Sequence, residues 1–160
     1  MGRTPVVEPV AFPRACWKTG GVKLSVKSDY AARAVLALAR HYPTGAARRV
    51  EELAADQGVS PNYLLQILLE LKAGRIVKSS RGKEGGYQLS RRPAEITFGD
   101  ILRCHHGLVF DSPALNDPAC PGELQDAWSE LQKKMEAAAD AIDFQQLLDK
   151  GADKGKMYYI

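Results

Sequence analysis

Apolar positions recur at helical spacing soon after residue 25. Ala31, Val35, Leu38 and Tyr42 fall on one stripe that Ala34 fills, which predicts a first helix over residues 27–42. Ser25 or Ser28 can cap its start, and Pro43 and Gly45 stop it. A short run at 51–57, Glu-Glu-Leu-Ala-Ala-Asp-Gln, predicts a second helix. Glu51 and Glu52 suit its electropositive N-terminal end, and Gly58 supplies the exit conformation. Ser60 is a good N-cap and Pro61 a good first helical residue, because the missing N–H would have had no partner anyway. The third helix therefore runs from Pro61 to about Ala73, before Gly74. Leu64, Ile67, Leu68 and Leu71 form its core face, while Asn62, Gln66 and Glu70 fall on another.

The pattern then turns strand-like. Residues 76–80 (Ile-Val-Lys-Ser-Ser) and 87–90 (Tyr-Gln-Leu-Ser) read as two strands joined by Arg81-Gly82-Lys83-Glu84-Gly85-Gly86. A helix-turn-helix followed directly by a hairpin is a winged helix, and Arg81 and Lys83 at the wing tip can reach phosphates or a minor groove. Pro93 breaks the chain, and Thr97 caps a fourth helix from Phe98 to about His106. A loop follows over 107–119, with Pro113 and Pro118. Beyond Pro121, Leu124, Trp128, Leu131, Met135, Ala138 and Ile142 alternate by four and three residues. That is a heptad seam on one long helix, expected to pack against a second copy. Asp143 caps a final short helix, Phe144 to Lys150, and the apolar end Met157-Tyr158-Tyr159-Ile160 is expected to dock.

The fold class expected is thus mostly α with a small β-hairpin wing: a winged helix-turn-helix plus a long C-terminal dimerisation helix. Three segments result: a leader over 1–21, unstructured and dispensable for dimerisation and DNA binding; a DNA-binding domain over 22–92; and a sensor loop with dimerisation helices over 93–160. Composition excludes several other classes. With 45% hydrophobic and 26% charged residues, the chain is neither disordered nor collagenous, and three cysteines do not make a disulfide framework. The longest apolar run, 34–39, is far too short to span a membrane, so the expected location is the cytoplasm. Charge is divided unevenly. Residues 22–92 hold 13 Lys/Arg against 6 Asp/Glu, and residues 93–160 hold 6 against 12. The front half suits a polyanionic partner; the back half does not.

These residues resemble the Rrf-two (BadM/IscR-like) family of bacterial winged-helix regulators. The likeness begins at Val22-Lys23-Leu24-Ser25 and continues through Asp29-Tyr30-Ala31, Gly58 to Gln66 and Leu71 to Val77. Its most specific block is Arg81-Gly82 with Gly85-Gly86-Tyr87-Gln88-Leu89; Pro93, Ile96-Thr97 and Asp100-Ile101 also fit. The tail from Met157 is similar to that of cysteine-metabolism repressors in the family. The resemblance implies a homodimer on palindromic promoter DNA, with the third helix in the major groove and the wing in the adjacent minor groove. It places DNA contacts on Ser60, Pro61, Asn62, Tyr63, Gln66, Arg81 and Gly82, beside Lys83 of the wing tip. Asn and Gln can pair with adenine, and Arg can lie in a narrow minor groove. Leu65 stands where some members carry Glu, so base preference should differ from theirs. Leu124, Trp128, Leu131 and Met135 carry the expected dimer seam.

The resemblance also raises the question of a sensor. Members with an iron–sulfur cluster hold three cysteines in the loop before the dimer helix; here Cys120 stands alone, and Cys104 lies earlier, beside His105 and His106. Asp29 matches a position that supplies a carboxylate ligand in the nitric-oxide-sensing branch. Clusters usually need four ligands, so no cofactor and no metal are expected, and Cys104 is expected to face the core. Cys120 is the better candidate sensor thiol, followed by Cys104, because it precedes a helix N-terminus. The remaining alternatives are a cluster- or thiol-based redox sensor of the same fold, a signal from a regulatory protein or small effector, and a winged helix used for protein contacts. No enzyme is expected: Cys104 and His105 are adjacent on a helix and point about 100° apart.

Overall fold

A computed structural model describes residues 25–82 and 85–157. The order of elements is α1 (Val26–His41), α2 (Val50–Gln57), α3 (Pro61–Ala73), β1 (Val77–Ser80), β2 (Gly86–Leu89), α4 (Phe98–His106), α5 (Gly122–Asp140) and α6 (Phe144–Met157). This is the mostly helical fold with a hairpin wing that the pattern predicts. The leader, Lys83 and Tyr158–Ile160 lie outside the described residues. No helix among the described residues is long and apolar enough to cross a membrane.

The cap of α1 is Ser25, whose side chain accepts from the Ser28 amide. α1 presents Ala31, Ala34, Val35, Leu38 and Ala39 to the interior, where Leu53 of α2 and the four apolar residues of α3 meet them. The same core takes in Ile76, Val77, Leu89, Ile96, Ile101 and Phe144, so α6 returns to the helices that begin the chain. Phe144 is fully buried and its ring stacks on Phe98 at 5.7 Å. Two backbone bonds fix that return: the Phe98 amide donates to Ile142 O (2.9 Å), and the Phe144 amide donates to Ile96 O (3.0 Å).

The wing is a two-stranded antiparallel sheet, with Val77 opposite Leu89 and Ser80 opposite Gly86. β1 starts one residue later than the pattern predicts because the Ile76 amide is taken by Leu71 O (2.9 Å) in closing the end of α3. β2 starts one residue earlier, at Gly86, where a Cβ would lie 2.5 Å from Arg48 O. Arg48 exchanges two 2.8 Å backbone bonds with Tyr87 and so props the wing from the α1–α2 connection. α6 also runs beyond the predicted Lys150. An exposed Gly151 costs a helix about 1 kcal/mol, too little to end one anchored by Phe144, Leu147 and Leu148.

Candidate nucleic-acid interface

The local sequence aims α3. Gly58 adopts φ 65°, which lets the chain leave α2, and its amide returns to Ala54 O and Ala55 O. Two residues later the Ser60 side chain accepts from the Tyr63 amide (3.2 Å) and Pro61 opens the helix. With Leu64, Ile67, Leu68 and Leu71 turned inward, Pro61, Asn62 and Gln66 are left exposed. Tyr63 is half-buried, its ring edge-on to Tyr30 of α1 at 5.8 Å. It therefore locks α3 to α1 as well as lying beside the exposed face. Leu69 is exposed on that face too, a feature that the core-face reading of α3 passes over.

The wing stands next to α3. Lys72 Nζ donates to Ser79 Oγ (2.7 Å), which ties the last turn of the helix to β1. Arg81 and Gly82 are exposed at the described edge of the tip. Arg75, in the turn between α3 and β1, holds φ 56°, a left-handed conformation that costs a side-chain-bearing residue roughly 1 kcal/mol.

Much of the charge surplus of the front half is paired within the chain. Lys27 pairs with Glu70, Arg33 with Asp29, Arg48 with Glu52 and Asp56, and Arg92 with Glu95. Lys72, Arg75, Lys78 and Arg81 are exposed and face no carboxylate among the described residues. These four cations stand on the end of α3 and the wing, where phosphate contact would need them; Arg40, at the end of α1, is likewise exposed and faces no carboxylate among the described residues.

Through Glu70, near the C-terminal end of α3, α4 is tied to α3 and α1. His105 Nδ1 donates to Glu70 Oε2 (2.7 Å), and its side chain is buried with Nε2 lacking a protein partner. The Lys27 ammonium, and then His105, hold the Glu70 carboxyl below its ordinary range. His106 Nε2 shares a 2.8 Å hydrogen bond with Ser28 Oγ. Cys104 packs half-buried against the core, its Sγ donating to Glu70 O (3.3 Å). Burial first, and then the charge of Glu70, push this thiol up. Gly74 makes room for the sulfur, since a Cβ there would lie 2.8 Å from it. Sequence reasoning places Cys104 at the core; the partners of the two histidines on α1 and α3 are set by the tertiary fold.

Cys120 is half-buried in the turn before α5, its amide donating to Asp117 O (3.1 Å). The preceding loop is held by protein groups: Phe110 stacks on Trp128 at 6.0 Å, and Gln132 Nε2 donates to Phe110 O (2.9 Å). α5 buries no residue within its own chain, and Leu124 and Leu131 are 47% and 40% exposed. Trp128 and Met135 are half-buried. At the far end of α5, Asp140 pairs with Arg103 (2.5 Å) and lies where any side chain on Gly99 would collide with it.

The family model described as Rrf2, iron-dependent transcriptional regulator, matches residues 24–150. The chain belongs to the Rrf2 family. A Mycobacterium tuberculosis protein named as an HTH-type transcriptional regulator is 36% identical over 124 residues, covering 74% of this chain and 76% of its own. CymR of Bacillus subtilis is 28% identical over 141 residues, covering 87% of this chain and all of its own. Among solved structures, T. potens IscR superposes with a TM-score of 0.69 at 32% identity, over 87% of this chain and 98% of that one. CymR, the global cysteine regulator of B. subtilis, superposes with a TM-score of 0.71 at 26% identity, over 81% and 98%. Membership of the Rrf2 family makes this protein a winged-helix, DNA-binding transcriptional regulator.

The family description names iron, so the donor set bears on it directly. Cys104 is committed to the α3–α4 joint, His105 to Glu70, His106 to Ser28, and Asp29 to Arg33. Among the described residues no three His, Cys, Asp or Glu side chains converge on a point where a metal could sit. The residues that one chain brings together do not fit a cluster.

Proposed function

We propose that this Rrf2 regulator binds palindromic operator DNA as a homodimer, α3 lying in the major groove and the wing in the flanking minor groove. The observation that carries this is the coincidence of an outward Asn62–Gln66 face with Lys72, Arg75, Lys78 and Arg81, which face no carboxylate among the described residues. Asn62 and Gln66 read base edges; Ser60 and Pro61 set the entry of the helix; Tyr63 holds its pitch against Tyr30. Arg81, with Gly82 and Lys83, supplies the minor-groove arm. Two copies join through Leu124, Trp128, Leu131 and Met135; the exposure of Leu124 and Leu131, with Trp128 and Met135 only half-buried, supports a seam still to be covered.

The signal in this reading is a small effector or regulatory protein, with Cys120 the thiol to follow if redox chemistry contributes. The decisive experiment is a gel shift on the promoter of its own gene, with an unrelated duplex as competitor. Specific retardation by dimer-sized protein is expected, and binding that the unrelated duplex removes equally well overturns the reading. Protein purified without oxygen should show no visible charge-transfer band; stoichiometric iron and sulfide lost in Cys120→Ala would establish a cluster instead.

A further inference from the structure

The face of α3 that carries Asn62 and Gln66 is not uniformly polar. Leu69 is 51% exposed, whereas every other leucine of the helix is buried or half-buried. At 100° per residue, Leu69 lies within about 20° of Asn62 around the helix axis and about 60° from Gln66. The three therefore share one outward face. At 1.5 Å rise per residue, Leu69 sits roughly 4.5 Å beyond Gln66, a little more than one 3.4 Å base step. Lys72, three residues on, and Arg75, in the turn after the helix, are exposed and face no carboxylate among the described residues, which suits a polyanionic partner.

Hydrogen-bond donors and acceptors make up most of the major-groove edges of the four bases. The apolar group there is the C5-methyl of thymine. A leucine pressed onto a donor or acceptor would desolvate it without replacing its hydrogen bond. Pressed onto a methyl, it buries apolar area on both sides. We propose that Leu69 is a specificity-determining residue that seats against a thymine methyl, one or two base steps from the base read by Gln66. This assignment rests on α3 entering the major groove, and it adds to that reading a position and a base.

The test uses the full chain. An operator is first selected from random duplex DNA, and each thymine of one half-site is then replaced by uracil, which removes the methyl and nothing else. Binding is followed by fluorescence anisotropy. At one position uracil should weaken the parent about threefold to tenfold, the worth of one to two buried methyl groups. Leu69→Ala, a replacement that suits an exposed helical site, should lose a similar factor on the thymine operator and become indifferent to that uracil. Its salt dependence should match the parent's, because no phosphate contact is removed. Equal binding of the thymine and uracil forms at every position by the parent, or discrimination retained by Leu69→Ala, would overturn the assignment while leaving DNA reading intact. If selection returns no preferred sequence, DNA reading itself fails and the assignment falls with it.

Discussion

α3 and α5 each carry an apolar stripe and resolve it differently. In α3, Leu64, Ile67, Leu68 and Leu71 are sealed against α1 and α2, and the exposed face is left to polar groups and one leucine. In α5 the stripe of Leu124, Trp128, Leu131 and Met135 meets Phe110 at Trp128, and no residue of the helix is buried. Each fully buried leucine is worth about 1.5–3 kcal/mol, so α3 is stabilised by its own domain. α5 has no such stabilisation within its own chain. The difference teaches that a hydrophobic period predicts a helix, while the partner available decides whether the helix belongs to a core or to an interface.

The comparison breaks most sharply at Leu131. An aspartate there would be buried without a partner on each protomer, at a cost on the order of 5 kcal/mol to association. Because Leu131 is not part of the folded core, the expected product is a folded monomer that fails on a two-half-site operator. Sedimentation at micromolar concentration checks this, and a parent protein that is itself monomeric would refute the seam. Phe144→Ala acts on the other side of the comparison. It empties a site in the common core beneath Phe98 and should lower unfolding stability by about 3–5 kcal/mol, seen as a large fall in the denaturant midpoint.

Arg81→Ala should leave stability and dimerisation unchanged and weaken operator binding by about 1–3 kcal/mol. The slope of affinity against salt should also fall by about one ion, whereas an unchanged slope would remove the wing from the interface.

The smallest effect expected is a pH effect at the α1–α3–α4 joint. Lys27, then His105, depress the Glu70 carboxyl, so its pairing stabilises the fold above the ordinary carboxylate value of 4.5. That contribution is lost as pH falls through the lower folded value. The site is partly exposed, so Glu70→Gln should cost no more than about 1 kcal/mol near neutrality. Melting curves between about pH 3 and pH 6 should show the parent and Glu70→Gln converging at the acid end. Curves that stay parallel would mean that the carboxylate's charge contributes nothing there.

Much of the candidate site is legible in the residues. Gly58, Ser60 and Pro61 announce the turn and the start of α3 because caps and φ-restricted residues act locally. The wing is legible from its three glycines and two short strands, with one-residue errors at the start of β1 and at both ends of β2. Arg48 is not legible as a prop for the wing, since nothing local marks a backbone bridge to a residue 39 positions away. Nor is the Glu70–His105 pair, which joins helices far apart in the chain. Leu69 escaped notice for a different reason: its 100° step from Leu68 takes it off the core stripe, but in an apolar helix it looks like one more leucine until its exposure is seen.

What this sequence determined by itself is therefore what short-range physics controls: the helix caps, the turn glycines, the apolar periods, and the uneven charge. The tertiary structure decided which cations stay unpaired, which histidines become tethers, that Cys104 is spent on a helix joint, and that α6 closes the winged core while α5 remains open. Those outcomes depend on contacts between residues distant in the chain. Pairing and burial are properties of neighbours in space, and no local pattern specifies which neighbours the folded chain will supply.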